Sequence, residues 1–299
     1  MNSFALVLGE SLIDAIGQTE CPGGSPMNLA VGLSRLGRPT ILATWFATDQ
    51  RGQAIAAHLS NSGVELLPGS SAASKTSLAK VTLTEDGTAN YHFDLEWQLP
   101  PLADDLKPLV SHCGSIGAIL QPGAEDVLAT VGRLKDISSI SYDPNLRPQI
   151  MGSAAQVRSR VEELAALSDI IKASTEDLNW LYPGTPAEET VQRWSAAGTA
   201  LVVLTRGEQG CLGLSQSSQA EQPAPTATVI DTVGAGDAFM AGLLHGLWQH
   251  NLLGPTNHSA LSQLDQPRLS QLLDLASQVA GRTLSRPGAD PPWLDDLSS

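Results

Sequence analysis

The segment 231–247, DTVGAGDAFMAGLLHGL, holds residues that can do chemistry on an anion. A β-like stretch, Ala227-Thr228-Val229-Ile230, leads into Asp231-Thr232 and then into the small residues Gly234, Ala235 and Gly236. Asp237 follows, where an apolar helical pattern begins (Ala238, Met240, Ala241, Leu244, Leu247). The first N–H groups of a helix have no internal partners and carry the positive end of its macrodipole, so such a turn can receive an anion. Gly234 and Gly236 remove the Cβ atoms that would hold a phosphate away from the backbone. An acid at that place repels phosphate unless it has work of its own. Accepting the proton of a group that attacks the phosphate is such work. From these residues alone a second reading stands beside the first: Asp caps helices, and Gly-Ala-Gly makes a tight turn.

The string as a whole resembles the C-terminal signature of the ribokinase-like (PfkB) carbohydrate kinases, D-T-x-G-A-G-D-x-F. It matches at Asp231, Thr232, Gly234, Ala235, Gly236, Asp237 and Phe239. Residues 23–37, GGSPMNLAVGLSRLG, resemble the sugar-binding element of that family at Gly23, Gly24, Asn28, Ala30, Leu36 and Gly37. Two glycines open a backbone pocket for a polyol, and Asn28 offers donors and an acceptor on one side chain. Without the resemblance, Gly-Gly before a helix is an ordinary loop. The resemblance places the family's sugar-hydroxyl aspartate at Asp14, in the run Gly9-Glu10-Ser11-Leu12-Ile13-Asp14.

Three further segments extend the likeness. SYDPNLR (141–147) resembles the D-P-N-x-R element of fructokinase-like members. It implies that Asp143 and Asn145 organise metal-bound water and that Arg147 faces a phosphate or the sugar, although a Pro-Asn turn with a surface arginine has the same letters. KASTED (172–177) stands where the family has N-x-x-E, linked to magnesium and phosphate, so the resemblance puts Ser174 and Asp177 in those positions, with Asp177 as the metal-side acid and Glu176 an adjacent substitute for it. TRGEQG (205–210) resembles the nucleotide loop T-x-G-x-x-G at Thr205, Gly207 and Gly210. Ala276-Ser277 and Arg286-Pro287-Gly288-Ala289 match the region that closes over adenine, with Ser277 where many members have Asn. The resemblance implies ATP and Mg2+ as cofactors, and K+ near Asp231 and Ser285 in some members. No G-x-x-x-x-G-K-[ST] occurs, so a P-loop kinase is not indicated.

The elements that must position these residues alternate along the chain. Apolar strand-like runs at Phe4–Leu8, Ile41–Phe46, Ile116–Leu120, Ile137–Tyr142, Asp169–Ala173, Leu201–Leu204 and Val229–Ile230 are interleaved with helical patterns. Those helical patterns start from Pro26 and cover Gly52–Asn61, Glu125–Leu134, Ala154–Leu167, Thr175–Leu181 and Arg268–Leu284. Such alternation predicts an α/β fold with a mostly parallel sheet covered by helices on both faces, and ligands beyond the carboxyl ends of the strands. Residues 75–99 break the alternation, with two strand-like runs around Glu85-Asp86-Gly87. They predict a hairpin that joins the segment after Gly9 in a small β-sheet lid, inserted from about 11–20 and 75–99 into one kinase domain over 1–299. In the family such a lid covers the sugar and often meets a second subunit, so a homodimer is expected. Ser215–Gln222 reads as a surface loop.

Composition narrows the partners. The 299 residues carry 31 acids and 17 bases, a net charge of −14, which speaks against nucleic acid and anionic membranes. Cys21, Cys113 and Cys211 are widely spaced and show no metal-like pairing. With no signal peptide they suggest reduced thiols in a cytoplasm. No stretch approaches the ~18 apolar residues that read as a membrane span. The expectation is therefore an ATP-dependent kinase acting on a sugar hydroxymethyl group, fructokinase-like. A nucleoside kinase of the same fold is the alternative, since Tyr91, Phe93 and Trp97 can cover a base. A non-catalytic sugar-binding relative is a third reading, which has no use for the acid at Asp237.

Overall fold

The computed structural model describes residues 3–17, 19–83 and 89–297. The strands are β1 (Ala5–Leu8), β2 (Leu12–Ile16), β3 (Thr19–Gly23), β4 (Thr40–Ala43), β5 (Glu65–Leu66), β6 (Leu78–Leu83) and β7 (Ala89–Asp94), followed by β8 (Val110–Gly114), β9 (Ser139–Asp143), β10 (Ile170–Ser174), β11 (Leu201–Thr205), β12 (Cys211–Ser215) and β13 (Gln219–Gln222). The helices are α1 (Ser25–Arg35), α2 (Gln50–Asn61), α3 (Gly123–Leu134), α4 (Pro148–Met151), α5 (Ala154–Leu167), α6 (Thr175–Leu181), α7 (Ala187–Ala196), α8 (Ala235–Gln249), α9 (His258–Ser262) and α10 (Gln266–Leu284).

One large sheet runs β13-β12-β11-β10-β9-β8-β1-β4-β5. It is parallel from β11 to β5 and ends in two antiparallel strands, β12 and β13. β1 is buried along its whole length, as a parallel strand covered on both faces must be. Its side chains alternate between two cores. Ala5 and Val7 join the core built with α1, α2, α8 and α10, while Leu6 and Leu8 join the core built with α3, α5, α6 and α7. β1 also marks the switch point of the sheet. It pairs with β4 on one side and β8 on the other, so the loops after β1 and β8 diverge and leave a crevice at their carboxyl ends. A second sheet, β3-β2-β6-β7, starts a few residues beyond β1. Strands β6 and β7 pair antiparallel as the hairpin pattern predicts. The turn at Glu85-Asp86-Gly87 and the side chain of Tyr91 lie outside the described residues.

Three element assignments differ from the sequence pattern. The strand expected at Ile116–Leu120 is instead β8 at Val110–Gly114, and Ile116–Ala118 is a 3-10 turn. β8 carries polar side chains that satisfy one another across the sheet: Ser111 bonds Ser138 at 2.9 Å and His112 Nδ1 meets Ser141 Oγ at 3.0 Å. An apolar-run criterion passes over such a strand. Val229–Ile230 is not a strand, for both side chains are about 60% exposed and the Ile230 amide donates to the Leu284 carbonyl at the end of α10. The sheet edge is supplied earlier, by β12 and β13, where Ser215–Gln222 had read as a loop.

Helix α8, which carries the Gly234-Ala235-Gly236-Asp237 string at its start, nests between α1 and α10. A Cβ at Gly32 of α1 would stand 2.8 Å from Ala241 Cβ, and one at Gly242 would stand 2.9 Å from Ala276 Cα and 3.0 Å from Val279 Cβ. Glycine at these points lets the helices approach more closely than any side chain allows. Gly242→Val is therefore expected to cost about 1–3 kcal/mol of stability by overpacking. Urea unfolding measures this, and an unchanged midpoint would show that α8 and α10 can separate freely.

Candidate active site

Helix α8 begins on Gly234, its N-cap, with φ 75°. This left-handed conformation suits glycine, and a Cβ there would stand 2.5 Å from Ala289 Cβ. The cap has no side chain to offer, and while the Ala235 amide donates to the Thr232 carbonyl at 3.3 Å, the amides of Gly236 and Asp237 are left to whatever fills the cleft in front of them. Asp237 is the third residue of the helix, not its cap, and the capping reading falls. Its Oδ1 accepts from Ser25 Oγ at 2.6 Å and its Oδ2 accepts from Asn28 Nδ2 at 2.9 Å. Both donors sit in the first turns of α1. Burial raises the Asp237 pKa, opposed by the Ser25 and Asn28 bonds and by the charges of Lys172 and Arg147. Such a carboxylate is more basic than one in water, which is what proton acceptance needs.

The cleft has a volume of about 780 Å³. Gly23, Gly24, Asn28, Gly234, Gly236 and Asp237 line it, together with Asp14 and Arg147, so the structure gathers the sugar-side and anion-side candidates in one place. The small sheet contributes Asp14, Ala15, Ala79 and Phe93 to the same wall. Any side chain at Gly23 would collide with the Asp14 carboxylate. Gly24, at φ 114°, passes so close to the Glu10 carbonyl that a Cβ would stand 2.6 Å from it. Both glycines are thus explained by close approach. Burial raises the pKa of Asp14, countered by Arg147 and reinforced by Asp237.

Behind the anion turn lies a feature that motif reading missed. Lys172 Nζ, on β10, meets Asp143 Oδ2, on β9, at 2.7 Å, and both side chains are nearly inaccessible. The same ammonium stands 3.1 Å from the Cβ position of Gly236. A lysine in an otherwise apolar parallel strand was the available signal. Burial opposes its charge, but Asp143 first, then Asp237 and Asp177, outweigh that and raise its pKa. Burial pushes Asp143 up to about 6, and Lys172 works against the shift. Asp143 Oδ1 finds no hydrogen-bond partner among the described residues.

The remaining candidates flank this core. Asp177 Oδ1 accepts from Leu146 N at 2.7 Å and so braces the 143–147 loop against α6, while its Oδ2 accepts from Ser174 Oγ at 2.8 Å in a capping box, which leaves neither oxygen without a protein partner. Glu176, its neighbour, is exposed. Ser174 pairs in register with Thr205 of β11, Thr205 with Cys211 of β12, and the Cys211 thiol lies beside the Ser277 hydroxyl. Gly207 (φ 55°) and Gly210 (φ 79°) bound the short turn after β11. These nucleotide-binding candidates therefore neighbour one another on adjoining strand ends, outside the lining of the cleft that gathers the sugar-binding candidates. Asp231 accepts from the amides of Val233 and Gly288, which tie the C-terminal segment over the anion turn and lower the Asp231 pKa. Among the described residues no three His, Cys, Asp or Glu side chains form a metal-binding group, and no helix is long and apolar enough to cross a membrane.

Known proteins resemble this chain in sequence and fold. The family model described as pfkB family carbohydrate kinase matches residues 4–296. A fructokinase of Rhizobium leguminosarum bv. trifolii is 34% identical over 276 residues, spanning 86% of this chain and 84% of that protein. The structure of fructokinase from Vibrio cholerae O395 in its fructose, ADP and calcium ion bound form is 26% identical, with a TM-score of 0.75, and spans 99% of this chain and 98% of its own. The fructokinase of Xylella fastidiosa with bound ATP shares the fold at a TM-score of 0.84 and 24% identity, spanning 100% of this chain and 98% of its own.

The Lys172–Asp143 pair makes a prediction of its own. Removing one member strands a buried charge, so Lys172→Met is expected to cost about 3–5 kcal/mol. Lys172→Met combined with Asp143→Leu should recover most of that loss. Denaturant unfolding at pH 7 measures both, and a double variant no better than the single would show that the pair is not the source of the cost.

Proposed function

Because the chain belongs to the pfkB family of carbohydrate kinases, we propose that it transfers the γ-phosphoryl group of ATP to a hydroxymethyl group of a sugar, with fructose the first candidate. The observation that carries this reading is Asp237. A buried carboxylate, oriented by Ser25 and Asn28, is set into the first turn of a glycine-capped helix at the side of a cleft. A protein that only binds sugar has no use for such a group. The fructokinase relatives also turn the choice away from a nucleoside.

In the proposed reaction Asp237 takes the hydroxyl proton as the sugar oxygen bonds to the γ-phosphorus. The bond from that phosphorus to the bridging oxygen breaks, and ADP leaves with the electron pair. The first-turn amides of α8 receive the charge that develops on the transferring group, and Lys172 adds a fixed positive charge behind them. Asp14 and Asn28 orient the sugar, and Arg147 faces sugar or phosphate across the cleft. The nucleotide lies along Ser174, Thr205, Gly207, Gly210 and Ser277. Mg2+ supplies charge neutralisation on the phosphate oxygens when bound. The free Oδ1 of Asp143 and the exposed carboxylate of Glu176 suit hydrogen bonds to its water shell better than direct coordination.

An assay of ATP consumption over a panel of sugars tests the reading. Asp237→Asn should lower kcat by roughly 10²-fold or more with both KM values little changed. Asp14→Ala should instead raise the sugar KM about tenfold, far more than the ATP KM. Only ionised Asp237 accepts a proton, and burial raises its pKa. Turnover should therefore fall with decreasing pH at a higher pH than an ordinary carboxylate, near 4, would give. Near-wild-type turnover by Asp237→Asn would sink the mechanism.

We propose further that the β3-β2-β6-β7 sheet closes over bound sugar and meets a second subunit. Its cleft-facing residues, Asp14, Ala79 and Phe93, support closure, which would keep water from competing for the phosphoryl group. Sugar should slow amide exchange at 78–83 and 89–94 more than ATP alone does. Exchange as fast as in the free protein would exclude closure, and a monomer by light scattering would exclude the dimer contact.

A further inference from the structure

One buried acid of the cleft has no part in the chemistry above. Glu10 is the second residue beyond β1, at the switch point of the sheet, between the Gly24 turn and the loop after β8. Its side chain lines the cleft alongside Asp14, Asn28, Ser115 and Arg147, and the residue is 5% exposed. Oε2 accepts from the Gly117 amide at 2.7 Å. Oε1 finds no hydrogen-bond partner among the described residues. An unpaired, buried carboxylate oxygen is costly and calls for an explanation.

A structural role explains only half of this side chain. Bonding the Gly117 amide needs one acceptor, which Gln supplies without burying a charge. The second oxygen is surplus to that bond: it is buried at the wall of the cleft without a hydrogen bond of its own, with the Ser115 hydroxyl near enough to lower the carboxyl's pKa. Burial pushes the Glu10 carboxyl up to about 7, so near neutrality it can present either an acceptor or an O–H donor. A sugar hydroxyl, which both donates and accepts, is the chemical match for such a group. The reacting hydroxyl is already accounted for by Asp237, so the partner of Glu10 must be another one.

We propose that Glu10 is a specificity-determining residue of the sugar site, whose Oε1 hydrogen-bonds a sugar hydroxyl other than the one phosphorylated. The inference rests on the sugar-kinase reading of the cleft, and its test separates the two. Binding of the accepted sugar and each of its monodeoxy analogues is measured by calorimetry for the wild type, Glu10→Ala and Glu10→Gln, with ATP turnover followed in parallel. In the wild type one analogue should bind about ten- to a hundredfold more weakly than the parent sugar. In Glu10→Ala that penalty should vanish while the ranking of the other analogues and the affinity for ATP persist. Glu10→Gln, which can keep the Gly117 bond, should shrink the penalty of the same analogue. An analogue ranking in Glu10→Ala identical to that of the wild type overturns the proposal. If the variants do not fold, a structure of the wild type with its sugar decides. A sugar hydroxyl about 2.5–3.0 Å from Oε1 supports the proposal, and none within that reach overturns it. A wild type that binds sugars without consuming ATP sinks the kinase reading and leaves Glu10 judged by the same binding ranking. A wild type that binds no sugar overturns both.

Discussion

The N-termini of α1 and α8 come together on one carboxylate. Asp237 accepts from Ser25 and Asn28, residues more than 200 positions earlier in the chain, and so joins the two helices at the ends where their dipoles are positive. Two such ends repel each other unless an anion lies between them. The carboxylate is that anion, and the same contact orients it towards the cleft. Close packing of α8 at Gly32 and Gly242 puts the helix where this junction can form. The rest of the site is arranged around it: the anion turn on one side, the Gly23-Gly24 turn on the other, and the Lys172–Asp143 pair behind.

Charge in the cleft is unevenly distributed, and that unevenness has consequences. Among the described residues, Glu10, Asp14, Asp231 and Asp237 line it against the single cation Arg147, with Lys172 held in the wall behind. The chain as a whole is at −14, so no long-range field draws a polyphosphate in. Attraction must be local, from the Gly236 and Asp237 amides at the start of α8 and from the buried ammonium. Burial acts in the same direction on the acids: it raises the pKa of Glu10, Asp14, Asp143 and Asp237, making each a better proton acceptor or hydroxyl partner than it would be in water.

Much of this was legible before any coordinates. The D-T-x-G-A-G-D-x-F string, the Gly-Gly pair with Asn28, and the alternation of apolar runs with helical patterns each carry a local physical requirement. Glycine is needed where the backbone must approach or take a positive φ, and a covered parallel strand needs apolar residues on both faces. Readings failed where the stabilising partner is distant. β8 is a central strand despite Ser111 and His112, because Ser138 and Ser141 lie opposite them. Val229–Ile230 has strand-like residues and no strand beside it, because the end of α10 takes its amide.

The sequence by itself determined the fold class, the identity of the acid in the anion turn and the glycines around it, since these follow from residue type and spacing along a few turns of chain. Tertiary structure alone decided what those residues touch. That Asn28 donates to Asp237, that Asp177 braces Leu146, that Lys172 stands behind Gly236, and that Glu10 keeps one oxygen unpaired all depend on segments 31 to 209 residues apart, or on burial that no local pattern records. Hydrogen bonding and desolvation are set by neighbours in space, and the order of neighbours in space is fixed only when the strands have taken their places in the sheet.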